Sequence, residues 1–300
     1  MRKFRKLVEI GPIGLQPWAE EKLCDYADEI VRYDHLPADE DELVAMCGDG
    51  DAMLVRTQPA VPASVLSRCA QLKYVGMCCS LYSKESANVD IGYAEKHGIT
   101  VYGIRDYGDK GVTEFVIYAL VRVLHGYDWP MWRSRAKEIT KLRIGFVGFG
   151  TSGQMTARML KALGAEIRYY ARSVKDECEK EGMHFMDLRD LLGWSEVVVT
   201  CLNKGVILLH EEEFKALGDG KIMVNTSIGP ASDGPALMKW ISNGSNTFIA
   251  DTSGAVGEIW SEVKDRPNVL CPDVSAGMTE EAYDLMSRKV LDNIERYLNA

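Results

Sequence analysis

Three glycines stand at Gly-x-Gly-x-x-Gly spacing in the stretch IGFVGFGTSGQ: Gly148, Gly150 and Gly153. Where a strand runs into a helix around a diphosphate, the first glycine lets the chain turn sharply. The second lets backbone amides approach the phosphates, and the third allows close helix–strand packing. Free N–H groups and the dipole at the helix start then bind the phosphates. The spacing also fits a structural turn, but the flanking apolar and amphipathic stretches favour dinucleotide binding.

The residues after the next predicted strand select the type of dinucleotide. NAD sites usually place Asp or Glu there to bind the ribose hydroxyls, whereas this chain has Arg172 and Ser173. A guanidinium beside a hydroxyl suits the 2′-phosphate of NADP. We therefore expect NADP in preference to NAD. The alternative is a solvated arginine at the entry of a loop.

A single carboxylate, Asp273, follows a short apolar run in NVLCPDVSAG, behind a Cys-Pro pair. A carboxylate at the end of a buried strand is costly unless water, a partner or a proton stabilises it. Asp273 is therefore either a residue of a site or a turn residue ahead of the helix that begins near Thr279.

These residues depend on two series of apolar, β-rich runs that alternate with helical stretches. The first series lies at 6–10, 29–34, 51–56, 72–77 and 99–104. The second lies at 142–150, 166–171, 196–202, 221–227, 247–251 and 268–272. A long apolar helix at 112–124 separates the two series, and a helix at 280–299 ends the chain. Such alternation is typical of parallel sheets covered on both faces.

Composition limits the class of protein. The chain has 300 residues, of which 46% are hydrophobic and 26% charged, which is typical of a globular protein of about two domains. A net charge of −9 argues against a surface for nucleic acid or anionic membrane, since both need clustered cations. No segment reads as a signal peptide or a membrane span. The eight cysteines lack paired CxxC spacing, so we expect a soluble cytoplasmic protein with buried thiols and no metal site.

Six stretches occur in a specific order: LKYVGMCCSLYSKESANVDIGYAEKHGITVYGI, VTEFVIYAL, GFVGFGTSG, MVNTSIGPASDGPALMKWI, IADTSGAVGE and PNVLCPDVSAG. In that order they resemble the D-isomer-specific 2-hydroxyacid dehydrogenases, which include the glycerate, hydroxypyruvate and phosphoglycerate enzymes. The resemblance implies an α/β fold of two parallel-sheet domains, Rossmann-like and flavodoxin-like, with a cofactor cleft between them. It places the substrate domain at 1–102 plus 284–300 and the dinucleotide-binding domain at 103–283.

The chain departs from that family at the catalytic positions. The family uses a His to donate a proton to the substrate carbonyl, a Glu to tune this His, and an Arg to bind carboxylate and carbonyl. Ile228 stands at the Arg position and Asp273 at the His position, and only Glu258 lies near the Glu position. Without the Arg, a 2-keto carboxylate loses its bidentate clamp.

Asp273 is therefore a catalytic candidate in two forms. With a pKa raised by burial it would donate a proton, and ionised it would pair with a cationic substrate. Arg56 is the second catalytic candidate, because it follows a strand at the position of a family arginine. Lys84, Arg105 and Lys110 are further cations, for which surface salt bridges are the commoner role.

The resemblance also assigns cofactor contacts position by position. Thr151 and Ser152 fall under the pyrophosphate, and Asp251 at the aspartate that binds the nicotinamide carboxamide. Val112 and Thr113, at the start of the long helix, are candidates for contact with the nicotinamide. Strand ends near the adenosine and the nicotinamide ribose supply Cys201, Leu202, Asn203, Asn225, Thr226 and Ser227.

The sequence thus predicts an NAD(P)-dependent oxidoreductase that uses NADPH to reduce a small carbonyl or imine compound other than a standard 2-keto acid. The alternative is a dinucleotide-binding protein without turnover, a sensor or relict, because the Arg and His are absent. The expected partners are a small-molecule substrate and a second copy of the chain in a homodimer, with no nucleic acid and no membrane.

Overall fold

The computed structural model describes residues 2–300, which form two compact units. One unit runs to Tyr107 and includes Thr279–Ala300, and the other is Gly108–Met278. The division at 102/103 and 283/284 drawn from the sequence stays a prediction. Within residues 2–300, no helix has both the length and the apolarity that crossing a bilayer requires.

The first unit is built on a five-stranded parallel sheet. Its elements before the second unit are β1 (Phe4–Glu9), α1 (Pro17–Leu23), β2 (Ala27–Arg32), α2 (Glu40–Cys47), β3 (Ala52–Val55), α3 (Ala63–Leu66), β4 (Tyr74–Ser80), a 3₁₀ helix (Lys84–Ser86), α4 (Ile91–Lys96) and β5 (Thr100–Ile104). The strand order β2-β1-β3-β4-β5 is the flavodoxin order.

The second unit holds a seven-stranded parallel sheet. Its elements are α5 (Asp109–His125), β6 (Arg143–Val147), α6 (Thr151–Ala162), β7 (Glu166–Tyr170), α7 (Asp176–Lys180), β8 (His184–Phe185), α8 (Leu188–Trp194), β9 (Val197–Thr200), α9 (Glu211–Leu217), β10 (Ile222–Asn225), α10 (Gly234–Ile241), β11 (Thr247–Ala250), α11 (Ser253–Val256), α12 (Trp260–Val263) and β12 (Val269–Leu270). The order β12-β11-β10-β9-β6-β7-β8 reverses between β6 and β9. Open α/β sheets bind ligands at the carboxyl ends of their strands beside such a reversal.

The last helix, α13 (Glu280–Leu298), belongs to the first unit. Its buried residues Met286, Val290 and Ile294 recur every four positions and pack in one core with Leu7 of β1 and Tyr74 of β4. That spacing places them on one helix face, which is why this helix covers the sheet.

Burial explains why the second sheet forms from its particular runs. All four residues of β9 are buried, since helices cover both faces of a parallel sheet and its inner strands are apolar throughout. On α5, Val116, Leu120 and Val123 are fully buried at helical spacing and belong to the core that includes Phe146 of β6.

The predicted fold class is confirmed, with both parallel sheets in place. The sequence analysis missed α7 and β8, which have five and two residues and therefore show little periodicity. It ended β4 at residue 77, whereas the strand continues to Ser80 through the buried Cys78 and Cys79, with a register shift against β5.

Candidate active site

The three glycines of the second unit lie between β6 and α6, and each fits a different task. Gly148 has φ +88°, and a Cβ there would collide with the carbonyl oxygen of Cys201. A Cβ on Gly153 would lie 3.0 Å from the carbonyl oxygen of Gly148, so this glycine permits close packing. A Cβ on Gly150 would meet nothing within 4 Å. The backbone at Gly150 therefore borders open space that a phosphate group fits.

The N-terminus of α6 faces this open space without a side-chain cap. Gly150 is the N-cap residue, and as a glycine it has no side chain that could bond the first amides of the helix. Thr151 is exposed and Ser152 half-buried. Gln154 steadies the loop, because its Nε2 donates to the carbonyl oxygen of Phe149 at 3.1 Å. Uncapped amides and the helix dipole make this end suitable for the pyrophosphate of a dinucleotide.

Arg172 and Ser173 are exposed directly after β7, at the same edge of the sheet. The structure adds a second cation that the sequence analysis missed: Lys175 Nζ donates to Ser173 Oγ at 2.9 Å. The backbone N–H of Lys175 donates to the hydroxyl of Tyr169 at 2.7 Å, which fixes the turn. The Arg-Ser-x-Lys spacing was the available signal. This corner therefore presents two cations and a hydroxyl.

The ends of β9 and β10 form the floor beside the glycine loop. The hydroxyl of Thr226 donates its proton to the carbonyl oxygen of Thr200 at 3.0 Å. Since that proton is used, Thr226 Oγ1 accepts from the thiol of Cys201, whose Sγ lies 3.4 Å from it. Burial raises the pKa of Cys201 to about 11, which keeps the thiol protonated at neutral pH. The N–H of Leu202 donates to Ser227 Oγ at 2.9 Å. These contacts tie the two strand ends together, and Asn203 follows them in the exposed loop.

Asn225, the last residue of β10, has a side-chain amide that is bonded within the protein, and its place near the nicotinamide ribose stays a prediction. It is 1% exposed, and its Nδ2 donates to the carbonyl oxygens of Ala255 at 2.8 Å and Gly229 at 3.1 Å. Its Oδ1 accepts from Thr200 Oγ1 at 2.7 Å and from the N–H of Ser227 at 2.9 Å. The amide therefore has partners on both of its atoms and braces the loop that presents Ile228, which is half exposed.

Two carboxylates stand on neighbouring loops where β11 and β12 end. The N–H of Ser253, after β11, donates to Asp273 Oδ1 at 2.6 Å, and the N–H of Ala276, after β12, donates to Asp251 Oδ2 at 3.0 Å. Each aspartate thus holds the loop that carries the other. Burial raises the pKa of Asp251, against the lowering effect of the hydrogen bonds it accepts. Neither carboxylate forms an ion pair with a Lys, Arg or His of residues 2–300.

Asp273 does not have the raised pKa that a proton donor needs. Its side chain is exposed, and the hydrogen bonds from Ser253 lower the pKa of its carboxyl. The residue has φ +55°, a left-handed conformation that aspartate tolerates in turns. The prediction of a protonated Asp273 is therefore corrected: at neutral pH it is a carboxylate, which leaves the turn role and the cation-pairing role. Glu258, the residue near the family's Glu position, has its carboxylate beside Gly234 at the start of α10.

Arg56, the candidate of the first unit, follows β3 and is oriented by α13. Its Nη2 donates to the hydroxyl of Tyr283 at 3.2 Å, and its guanidinium lies 5.2 Å from the centre of that ring. Asn88 Nδ2 donates to the carbonyl oxygen of Arg56 at 2.9 Å. Gly14 (φ +81°) leaves room for the pair, since a Cβ there would lie 3.1 Å from Tyr283. A role for Arg56 in binding an anionic substrate group stays a prediction.

Two of the other predicted cations of this unit have local partners. Lys84 forms an ion pair with Glu95, and the Arg105 guanidinium donates to the carbonyl oxygens of Leu81 and Tyr82. These contacts hold the loop after β4. Lys110 is exposed in the first turn of α5, in the other unit.

Comparison with known proteins supports this picture. Residues 117–253 match a family model described as D-isomer specific 2-hydroxyacid dehydrogenase, NAD binding domain. A hydroxypyruvate reductase of Blautia hydrogenotrophica is 27% identical over 224 residues, which are 67% of this chain and 67% of that protein. The chain spans 60% to 67% of the length of the first three curated relatives that it matches.

Solved structures share the architecture at lower identity. The 2-hydroxyacid dehydrogenase of Ketogulonicigenium vulgare Y25 superimposes with a TM-score of 0.82 at 20% identity, over 100% of this chain and 96% of that one. An acyclic imino acid reductase in complex with NADPH and D-Arg gives 0.81 at 21% identity, over 98% and 97%. At these identities the likeness shows a common fold. The family model over residues 117–253 and the curated relatives make this chain similar to the D-isomer-specific 2-hydroxyacid dehydrogenases.

Proposed function

We propose that this protein is an NADPH-dependent reductase of a protonated imine, an iminium compound, rather than of a standard 2-keto acid. The observation that carries the proposal is the pair of carboxylates, Asp251 and Asp273, which bind no cation of their own unit. Asp273 is exposed and ionised. Such a pair favours a substrate that brings a positive charge.

An iminium substrate removes the need for the acid that this chain lacks. Reduction of a ketone makes an alkoxide and requires a proton donor, which the family supplies as His. When bound, a reduced nicotinamide would supply a hydride to the substrate carbon. In an iminium the C=N π electrons then become the nitrogen lone pair, and the product is a neutral amine that takes up a proton from water. Asp273 therefore needs only to remain ionised, and its charge raises the pKa of the bound imine so that it stays protonated.

The loop after β10 suits the same substrate class. Ile228 stands at the position of the family arginine and is 50% exposed, so this loop offers apolar contact instead of a carboxylate clamp. The acyclic imino acid reductase of similar fold was solved with D-Arg, a ligand whose side chain is a cation. We take that likeness as support for an imine substrate.

The preference for NADPH rests on the corner after β7. Arg172, Ser173 and Lys175 place two cations and a hydroxyl where the adenosine ribose of a dinucleotide lies in this fold. A 2′-phosphate would gain charge-assisted hydrogen bonds there, each worth about 1.5–3 kcal/mol. The glycine loop accommodates NAD and NADP equally, so this corner alone decides the preference.

NADPH oxidation in the presence of imines and carbonyl compounds tests the function. The panel holds 1-pyrroline, the imine of pyruvate with methylamine, glyoxylate and hydroxypyruvate. Wild type should reduce the imines faster than both keto acids, and Asp273→Asn, which keeps the acceptor for Ser253, should lower kcat/KM on imines at least tenfold. Asp265→Asn, an exposed aspartate on the same unit, is the matched control. Faster turnover of glyoxylate or hydroxypyruvate would refute the proposal.

The alternative, a dinucleotide-binding protein without turnover, is decided by the same assay. It is favoured by the absence of the family Arg and His at positions 228 and 273. Tight NADPH binding, measured by fluorescence, without reduction of any panel member would establish it.

We also infer a homodimer. The second unit exposes Tyr118 of α5 together with Tyr127 and Met131, and a groove of about 260 Å³ lies beside Tyr118 and Tyr127. Exposed apolar groups concentrated in one region are typical of an interface. Light scattering should give twice the mass of one chain, and Tyr118→Lys should reduce it. A monomeric wild type at micromolar concentration would refute this inference.

A further inference from the structure

A buried pair of hydroxyl groups joins α5 to α6 inside the second unit. Thr113 is 5% exposed and Thr156 is fully buried, and their Oγ1 atoms lie 2.9 Å apart. The hydroxyl of Thr113 donates to the carbonyl oxygen of Asp109 at 3.0 Å. The proton in the bond between the two threonines therefore comes from Thr156. Both hydroxyl protons have acceptors, which satisfies groups that would otherwise be costly to bury.

This pair stands between two parts of the proposed cofactor site. Thr156 lies one helical turn after Ser152, and Ser152 is in the first turn of α6, beside the glycine loop. Asp109 is the first residue of α5, Gly108 is its N-cap, and Thr113 lies one turn further along the helix.

Gly108 packs directly against the segment that carries Asp273. A Cβ on Gly108 would lie 2.5 Å from the carbonyl oxygen of Gly277 and 2.9 Å from its Cα, so the two backbones touch. Asp251 holds the same segment through the N–H of Ala276. A continuous path of contacts thus runs from the phosphate loop, through the two hydroxyls, to the loop that carries Asp273.

We propose that Thr113 and Thr156 are positioning residues that fix the nicotinamide end of the site relative to the phosphate loop. The inference rests on the proposed function, because it assumes that a dinucleotide spans the edge from the glycine loop towards Asp251. Removal of either hydroxyl lets the first turn of α5, and with it the Gly277 segment, move relative to α6. This movement should not change the affinity of nucleotides that lack a nicotinamide.

The test compares two ligands by calorimetry: NADPH, and 2′-phospho-ADP-ribose, which has the pyrophosphate but no nicotinamide. Thr113→Val and Thr156→Val keep the side-chain shape and remove the hydroxyl. Thr156→Val removes the hydrogen bond between the two threonines, and Thr113→Val removes that bond and the one to Asp109. We expect each variant to weaken NADPH binding by about fivefold or more and to change 2′-phospho-ADP-ribose binding less than twofold. Thr113→Ser keeps the hydroxyl and should restore NADPH binding. This rescue separates positioning from a simple loss of packing.

The other possible outcomes of this experiment also decide whether the positioning role holds. Equal weakening of both ligands, or no weakening of NADPH, would overturn the positioning role, and so would a serine variant that behaves like the valine variant. A wild type that binds both ligands but reduces no imine would refute the proposed reaction while leaving this inference supported by the affinities. A wild type that binds neither ligand would overturn both.

Discussion

Replacing Glu9 by glutamine should stabilise the protein at pH 8 and have little effect at pH 5. Glu9 ends β1 and is 4% exposed. The Nε of Arg32 lies 3.1 Å from Oε1 of Glu9 and 2.8 Å from Oε2 of Glu20. One guanidinium faces two carboxylates, and burial is the largest cause that raises the pKa of Glu9, to about 7. Cys24, the C-cap of α1, and Cys78 on β4 are the other titratable groups near this cluster.

The direction of the effect follows from where the proton is bound. Below pH 4.5 the Glu9 carboxyl is protonated in both the folded and the unfolded chain. Between pH 4.5 and about 7 only the folded chain keeps the proton, so the free energy of unfolding falls as pH rises through this window. The difference between a pKa of 4.5 and about 7 corresponds to about 3 kcal/mol, lost by pH 8.

Urea unfolding at pH 5 and pH 8 measures this. Glu9→Gln should raise the free energy of unfolding by up to about 3 kcal/mol at pH 8 and by less than about 1 kcal/mol at pH 5. Glu21→Gln, an exposed residue of α1, should change neither value. Equal stabilisation at both pH values, or destabilisation at pH 8, would show that Glu9 is ionised in the folded protein and that the argument from burial is wrong.

Three further outcomes follow from the second unit. Gly148→Ala should lower the free energy of unfolding by about 2–3 kcal/mol, because of strain at φ +88° and contact with the Cys201 carbonyl. Gly150→Ala should keep the thermal melt of wild type but lose at least tenfold in nucleotide affinity. Unchanged affinity in Gly150→Ala would place the phosphates elsewhere. Arg172→Asp should weaken NADPH at least tenfold more than NADH in fluorescence titrations, and equal effects would remove Arg172 from the site. Asn225→Ala should cost about 2–4 kcal/mol in urea unfolding, because four buried hydrogen bonds lose a partner; a cost under 1 kcal/mol would contradict its bracing role.

The fold was predictable because buried parallel strands are continuous apolar runs and the helices between them have regular spacing. The glycine loop was predictable for a related reason: its three tasks depend on residues within six positions of one another. The structure places Gly148, Gly150 and Gly153 at the turn, the open space and the close packing that this spacing predicts.

The parts that sequence reasoning missed depend on distant residues. Arg56 is oriented by Tyr283, 227 positions away, and nothing near either residue indicates that contact. The pKa of Asp273 is set by the N–H of Ser253 on another loop, so the sequence left both ionisation states open. The resemblance placed Asn225 near the nicotinamide ribose, and only folding brings the loop carbonyls to which its Nδ2 donates within reach.

The most direct test of the account is the steady-state rate of NADPH oxidation with 1-pyrroline and with glyoxylate, by wild type and Asp273→Asn. The account predicts a higher kcat/KM for the imine in wild type, and a loss of at least tenfold in the variant that is specific to the imine. A wild type that prefers glyoxylate, or an Asp273→Asn variant that reduces the imine as fast as wild type, would contradict it.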